Sequence, residues 1–254
     1  MNKTSSRLFY CLFEVYFLKH NSIMKKISIT KVDVETTLKQ RNLVLTDYAL
    51  QEDLLRDTFD KYKHNDDYGQ ILTKVTLLNL LYSTGIMDVK GVADHIFKHG
   101  KDIDSLMKKG DPTVVHLIAK VEHNGKPINH FSFATKYCSF HYPDKYPIYD
   151  DLVYKVLAAL RTSLECGSFS PEKIKDKDYD KHAAPCGYAL YKTIYDRFIE
   201  LYAADFPKKD YKTIDCYLWG SRKIATLNKD DWRISNNPQV YKAICNNAIN
   251  KLFK

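Results

Sequence analysis

The chain is poor in glycine and has no closely paired cysteines. Its 254 residues include only 9 glycines, a composition that disfavours a glycine-rich β-barrel and favours packed helices. Six cysteines are spread along the chain, and no two of them form a C-x-x-C pair. This spacing argues against a disulfide framework or a zinc site and predicts reduced thiols in the cytoplasm. We therefore expect no metal and no cofactor.

The sequence also lacks an apolar run long enough to cross a membrane. The segment 8–18 is apolar over eleven positions apart from Glu14, whereas a spanning helix needs about 20 residues. Basic residues precede it, but no small-x-small cleavage site follows. An over-extended gene start before Met24, a packed N-terminal helix and a signal peptide all stay open. We favour the first, and treat residues 1–23 as an extension and 24–254 as one helical domain.

Positive charge and aromatic side chains are abundant. The formal net charge is +8, the sequence pI is about 9.0, and aromatic residues make up 13% of the chain, with 19 tyrosines. An excess of positive charge favours a polyanionic partner, of which nucleic acid is the commonest. We therefore expect DNA as the partner, with no membrane and no obligate protein partner.

Hydrophobic periodicity predicts a mostly α fold. Apolar residues recur at the 3.6-residue spacing of a helix with one buried face in several long segments. The clearest of these segments are 44–65, 71–82, 185–204 and 238–253. Short strand candidates are restricted to 27–29 and 32–34.

The most informative stretch is a helix, a hairpin and a second helix. A broad apolar face predicts the first helix over 112–121, and a stripe beginning at Phe131 predicts the second over 131–141. Between them, 122–129 is polar and contains Asn-Gly and a proline, which are turn residues. This helix-hairpin-helix pattern spans about 112–141.

An acidic pair follows that pattern at the start of a third helix. Pro143 and Pro147 prevent the second helix from continuing. Asp150 then stands where a helix N-cap is expected, before an apolar face that runs to about residue 160. A carboxylate on the first turn of an anchored helix is held rigidly, as a catalytic acid must be.

Together these motifs resemble the helix-hairpin-helix (HhH-GPD) DNA glycosylases, the superfamily of 8-oxoguanine glycosylase and endonuclease III. Asp150-Asp-Leu-Val153 is similar to the family's catalytic Asp-x-x-Val, and 77–84 is similar to its buried helix ending in small polar residues. The resemblance covers roughly residues 70–160. It implies a two-lobed helical fold that hydrolyses the N-glycosidic bond of a damaged or modified base flipped out of duplex DNA.

The resemblance implies roles for individual residues. Asp150 would be the catalytic carboxylate, with Asp151 as the alternative because two adjacent acids leave the register uncertain. The residues implied to bind the DNA backbone are Lys120, Asn124, Gly125, Lys126, Asn129 and Ser132. Four further residues flank the acidic pair and are candidates for the walls of the base pocket, with packing in the core or the turn as the alternative for each: His141, Tyr142, Tyr146 and Tyr149.

The sequence departs from the family in the hairpin and in the catalytic lysine. The hairpin carries only Gly125 where the family usually has Gly-x-Gly, and the iron–sulfur cysteines of some relatives are missing. Bifunctional members carry a lysine about eighteen or nineteen residues before the aspartate, where this chain has Phe131 or Ser132. Lys136, nearer to the aspartate, is either a Schiff-base nucleophile or a charged residue on the solvent side of the helix. We favour the solvent-facing interpretation and a monofunctional enzyme.

Two other classes of function stay open. An aspartate at a helix N-cap commonly acts only as a cap, worth about 1 kcal/mol. The chain would then be a non-catalytic DNA-binding protein on the same fold, or a helical protein-interaction module whose charge serves solubility. The excised base, and whether the setting is repair or phage defence, are not predicted.

Overall fold

The computed structural model describes residues 27–167, 169–176, 187–227 and 231–254. Within these ranges the chain forms fifteen α-helices, one short 3₁₀ helix and one two-stranded antiparallel sheet. The prediction of a mostly α fold is confirmed. The predicted N-terminal extension, 1–23, lies outside the described residues.

Short connections join successive helices, and one β-hairpin interrupts the series of helices. Before and including the hairpin they are α1 (Lys31–Val44), α2 (Thr46–Lys61), α3 (Tyr68–Tyr82), α4 (Val89–Lys98), α5 (Gly100–Lys109), α6 (Thr113–Ala119), β1 (Lys120–His123) and β2 (Lys126–Asn129). After it come α7 (Phe131–His141), α8 (Asp151–Ala159), α9 (Arg161–Leu164), α10 (Pro171–Ile174), α11 (Gly187–Tyr202), a 3₁₀ helix (Ala203–Asp205), α12 (Tyr211–Ala225), α13 (Trp232–Ser235), α14 (Pro238–Cys245) and α15 (Ala248–Lys251).

The strand expected over 32–34 is instead the first turn of α1. The Thr30 hydroxyl accepts a hydrogen bond from the Asp33 N–H, and the Asp33 carboxylate accepts one from the Thr30 N–H. This reciprocal capping box satisfies two backbone donors that a helix start leaves unpaired. The strand prediction was wrong because the alternating valines were weighed without the capping pair around them.

The hairpin between α6 and α7 is a short β-ribbon that the sequence did not predict. β1 and β2 pair antiparallel, with Lys120 opposite Asn129 and His123 opposite Lys126. Asn124 and Gly125 both have positive φ, 51° and 72°, as a two-residue turn of the type I′ class requires. The helix predicted over 112–121 therefore ends at Ala119, where the backbone turns into β1.

α7 is the central helix of the fold. It packs against α2, α3 and α6, and these neighbours cover it on nearly every side. The buried residues of α7 are Phe131, Phe133, Ala134, Thr135, Lys136, Tyr137, Cys138 and Ser139. A helix buried all round has no solvent face, so a polar residue on it must find its partners inside the protein.

α12 packs against helices from both ends of the described chain. It packs against α1, α8 and α14, and a small second core of Val44, Leu45, Ile224 and Ile244 forms beside it. Because α8 follows directly on Asp150, this packing brings the side chains of α12 next to the predicted catalytic aspartate.

Candidate active site

An open cavity of about 610 Å³ lies where α1, α2, α3, α7, α8 and α12 meet. This volume is within the range of small-ligand sites, ~300–1,000 Å³. Its charged lining residues are Arg41, Glu52, Lys136, Asp150, Asp151, Lys175, Lys212, Asp215 and Lys223. Its aromatic lining residues are Tyr48, Tyr82, Tyr149 and Trp219.

Asp150 lies on the wall of this cavity as the N-cap of α8. Its Oδ1 accepts a hydrogen bond from the Leu152 N–H at 2.8 Å, and its carbonyl accepts one from the Tyr154 N–H at 2.8 Å. The side chain is therefore fixed by the helix that it starts. Asp151 also lines the cavity, but it is exposed and forms an ion pair with Lys155 at 2.7 Å.

Lys136 faces the same cavity from α7, and its predicted solvent exposure is wrong. The residue is 4% exposed. Its Nζ donates to the Ser132 Oγ at 2.7 Å and to the Tyr149 carbonyl at 3.4 Å, and lies 5.7 Å from the ring centroid of Tyr82. The prediction failed because it assumed that Lys136 lies on a solvent-exposed side of α7. The helices packed around α7 bury that position instead.

The ionisation of Lys136 is perturbed by this position. Burial lowers the pKa of the ammonium group, and the nearby carboxyl groups of Asp150 and Asp215 oppose that shift without cancelling it. A lysine whose pKa is lowered by burial supplies more of the neutral amine, which is the nucleophilic form.

Asp215 is a cavity residue that the sequence did not single out. It lies on α12, and its Oδ1 is buried and has no hydrogen-bond partner among the described residues. Burial raises the pKa of this carboxyl group to about 7, and the negative charge of Asp150 adds to the rise, while Lys212 opposes it. The sequence held one signal of this position. Asp215 lies among the apolar residues Ile214, Tyr217 and Leu218 of a helix with a broad buried face, a setting in which a carboxyl group is unusual.

An ion cluster around Glu52 forms another part of the wall. The Glu52 carboxylate lies 3.7 Å from Arg41 and 3.3 Å from Arg56, and it contacts the Lys212 ammonium. Burial opposes ionisation here, but these three cations outweigh it and hold the pKa of Glu52 below its ordinary value. The cluster links α1, α2 and α12 and fixes the walls that carry Asp215.

The four predicted base-pocket residues lie in different parts of the structure. Tyr149 lines the cavity, with the Lys175 Nζ 4.8 Å from its ring centroid. Tyr146 is fully buried, and its hydroxyl lies 3.2 Å from the Leu106 carbonyl oxygen, within the core. His141 contacts the Lys74 Nζ at 3.1 Å and lines a separate cavity of about 370 Å³.

Tyr142 likewise stands away from the cavity of Asp150, with the Lys145 Nζ 5.0 Å from its ring centroid. Other aromatic residues take the place of these three. Tyr48 and Trp219 meet edge to face, with ring centroids 5.0 Å apart, on the cavity wall. Trp232, by contrast, lies at the surface and is 64% exposed.

The predicted DNA-binding residues divide into two groups. Lys120, Asn124, Gly125, Lys126 and Asn129 are all exposed on the hairpin. The Asn129 side chain donates to the Lys175 carbonyl at 2.9 Å, which ties the hairpin to a residue of the cavity wall. Ser132 instead lies in the cavity itself, as the partner of Lys136.

Asp215 gives the fold a specific pH dependence. Because its folded-state pKa is raised from 3.8 to about 7, the folded protein holds the proton more tightly than the unfolded chain, and stability falls as pH rises between these values. Asp215→Asn removes that loss. As the pH rises from 5 to 8, we expect the free energy of unfolding of Asp215→Asn to increase by about 2–3 kcal/mol relative to that of the native protein. Urea denaturation measures both free energies. A constant difference across this range would contradict the assignment.

Within the described ranges, no helix combines the length and apolar composition that crossing a bilayer demands. The same part of the chain contains no group of three or more histidine, cysteine or acidic side chains arranged to hold a metal ion. Its four described cysteines are Cys138, Cys166, Cys216 and Cys245, all free thiols.

Comparison with known proteins places the chain in a family. The family model HI_0787_N, which describes an N-terminal domain, matches residues 30–145, a span that contains Lys136 and ends before Asp150. An uncharacterized protein of Haemophilus influenzae (strain Rd) is 31% identical over 191 residues, which cover 74% of this chain and 81% of that protein. No solved structure matches. The chain therefore belongs to the family of this Haemophilus influenzae protein.

Proposed function

We propose that this protein is a DNA N-glycosylase that removes a damaged or modified base from duplex DNA, on a two-lobed helix-hairpin-helix glycosylase-like fold. The observation that carries the proposal is the cavity that holds both the Asp150 carboxyl group and the Lys136 ammonium group on its walls. A second support is the exposed hairpin next to it, anchored through Asn129. The cytoplasm, where thiols stay reduced, is the proposed setting.

Asp150 supplies the electrostatic part of the chemistry. Cleavage of an N-glycosidic bond develops positive charge on the sugar, and a fixed carboxylate next to C1′ stabilises that charge. Asp150 is fixed because its Oδ1 already caps α8 through the Leu152 N–H. The flipped base enters a cavity with aromatic walls, on which it can stack.

Lys136 supplies an amine within the same cavity. The sequence favoured a monofunctional enzyme because Lys136 precedes Asp150 by too few residues for the family's catalytic lysine. Spacing along the chain matters less than position in space, and Lys136 donates a hydrogen bond to the carbonyl of Tyr149, the residue before Asp150. We therefore assign its neutral amine as the nucleophile that attacks C1′ as the base departs.

The hairpin is proposed to hold the DNA backbone. Lys120 and Lys126 are exposed on opposite strands, and phosphate contacts of this kind position a protein without reading sequence. For Lys126→Ala we expect weaker duplex binding and a slope of log Kd against log salt that is smaller by about 1. Fluorescence anisotropy between about 50 and 200 mM salt measures both quantities.

Lys101→Ala is the matched control for this measurement, because Lys101 is an exposed lysine of α5 outside the hairpin and the cavity. Its salt slope should stay that of the native protein. Equal slopes for Lys126→Ala and the native protein would remove the hairpin from the DNA interface.

The proposed activity is tested by direct detection of released bases. The native protein is incubated with phage DNA, host DNA and duplexes that each contain one modified base; free bases are measured by mass spectrometry and abasic sites by alkaline cleavage. Base release supports the proposal. Salt-sensitive binding without release would favour the non-catalytic DNA-binding protein, and no binding at low salt would favour the helical interaction module.

A further inference from the structure

Two polar atoms of cavity residues are buried without partners. The Asp215 Oδ1 and the Tyr149 Oη form no hydrogen bond within the described part of the chain, although both residues line the cavity. Buried polar atoms in folded proteins are nearly always paired, and each exception calls for an explanation, of which a catalytic role is one. Of the two, Asp215 is the one that can also exchange a proton near neutral pH.

Asp215 and Asp150 face one cavity in different surroundings. The Oδ1 of Asp150 accepts a hydrogen bond from the Leu152 N–H, whereas the Oδ1 of Asp215 accepts none. Burial raises the pKa of Asp215 to about 7, so a large fraction of this carboxyl group is protonated at neutral pH. The titratable and charged groups that face it from its own and the neighbouring elements are Arg41, Glu52, Tyr82, Lys136, Asp150, Tyr191, Tyr195, Lys212 and Cys216.

We propose that Asp215 is the acid that protonates the departing base, and that the substrates therefore include uncharged nucleobases. The inference rests on the proposed glycosylase function and extends it to a substrate class. An uncharged base is a poor leaving group until a proton reaches one of its ring nitrogens or carbonyl oxygens. A base that already carries a positive charge, such as 7-methylguanine, leaves without that help.

The proton and electron transfers balance within the cavity. Asp215 gives its proton to the base as the bond between the base and C1′ breaks, and the electron pair of that bond stays with the base. The Lys136 amine bonds to C1′ and loses one proton. That proton restores the Asp215 carboxyl group, so no oxidant, reductant or metal is required.

The experiment compares base release by the native protein, Asp215→Asn and Asp102→Asn. Asp102 is an exposed acid of α5 outside the cavity, so its variant controls for the loss of one carboxylate. The substrates are duplexes containing hypoxanthine, uracil, 8-oxoguanine or 7-methylguanine, with spontaneous loss of 7-methylguanine subtracted. Asp215→Asn should release uncharged bases about 100-fold more slowly and 7-methylguanine at the native rate. Release of uncharged bases by the native protein should fall as pH rises above 7.

The outcomes separate this inference from the proposed function. An equal loss on charged and uncharged bases would make Asp215 a structural or counter-ion residue and overturn the assignment. Unchanged release of uncharged bases by Asp215→Asn, or release of 7-methylguanine alone by the native protein, would also overturn it while leaving the glycosylase intact. Release of no base by the native protein would overturn both. Urea denaturation of Asp215→Asn at the assay pH shows whether the variant is folded when its rates are compared with those of the native protein.

Discussion

Asp150→Asn is expected to lower the rate of base release about 100- to 1,000-fold. Removal of one preorganised electrostatic contact to a developing charge typically costs this much, about 3–4 kcal/mol. The Asp150 Oδ1 accepts a hydrogen bond from the Leu152 N–H at 2.8 Å. Asparagine has the same size as aspartate and keeps an oxygen that can accept this hydrogen bond. It removes only the negative charge that is proposed to stabilise the sugar.

The stability of Asp150→Asn should stay within about 0.5 kcal/mol of the native protein, because asparagine and aspartate are equally good N-caps. A loss of activity without a loss of stability then separates the catalytic role of Asp150 from its capping role. Single-turnover base release and urea denaturation measure the two quantities on the same preparation.

Asp67→Asn is the matched control for this substitution. Asp67 is the N-cap of α3, where its Oδ1 accepts a hydrogen bond from the Gln70 N–H at 2.8 Å, and it does not line the cavity. The same chemical change at this cap should leave base release unaltered. If Asp150→Asn keeps full activity while Asp151→Asn loses it, the catalytic position is Asp151 and the assignment of Asp150 is wrong.

Elements with strong local signals were predictable from the sequence. α7 and α8 follow from their apolar stripes, and the position of Asp150 as an N-cap follows from the prolines before it and the apolar turns after it. These signals depend on a few neighbouring residues, so they need no knowledge of the rest of the chain.

The hairpin and α1 show where local patterns were insufficient. The predicted polar turn at Asn124 and Gly125 is present, but the strands beside it have only four residues each, too few for a clear alternating pattern. In α1 the alternating Val32 and Val34 suggested a strand, while the stronger signal was the capping pair around Thr30. Short elements depend on their ends more than on their hydrophobic pattern.

The cavity could be predicted only in part. Asp150 and Tyr149 were expected to lie together because they are neighbours in the chain. Lys136 and Asp215 join them through the packing of α7 and α12 around α8, and no spacing in the sequence encodes that packing. His141, Tyr142 and Tyr146 were assigned to the base pocket by proximity in sequence alone. His141 instead contacts Lys74 from the end of α7, and the Tyr146 hydroxyl donates a hydrogen bond to the Leu106 carbonyl in the core.

The assignment of Lys136 makes a second prediction with a large effect. A neutral lysine amine that attacks C1′ forms a Schiff base with the opened sugar, and borohydride reduces that intermediate to a stable link between protein and DNA. The native protein should therefore give a trapped complex on a duplex from which it releases the base. Lys136→Met should give none, because methionine has no amine and Lys136 is the lysine placed next to Asp150.

Methionine is chosen because it is close to lysine in shape and suits a buried site. Lys136 is 4% exposed, and its loss leaves the Ser132 Oγ and the Tyr149 carbonyl without this donor, so we expect Lys136→Met to be less stable by about 1–3 kcal/mol. Urea denaturation shows whether the variant is folded under the conditions of the trapping assay. Lys101→Met, an exposed lysine of α5, is the control and should trap as the native protein does.

The trapping result also decides between an amine and water as the nucleophile. A complex that persists in Lys136→Met would assign the amine to another lysine of the cavity, such as Lys212. Base release by the native protein without a trapped complex would support a monofunctional mechanism, in which Asp150 activates water. Lys136 would then only donate hydrogen bonds to Ser132 and Tyr149. A trapped complex lost only in Lys136→Met would establish covalent catalysis by a lysine whose position is set by helix packing rather than by its distance along the chain from the aspartate.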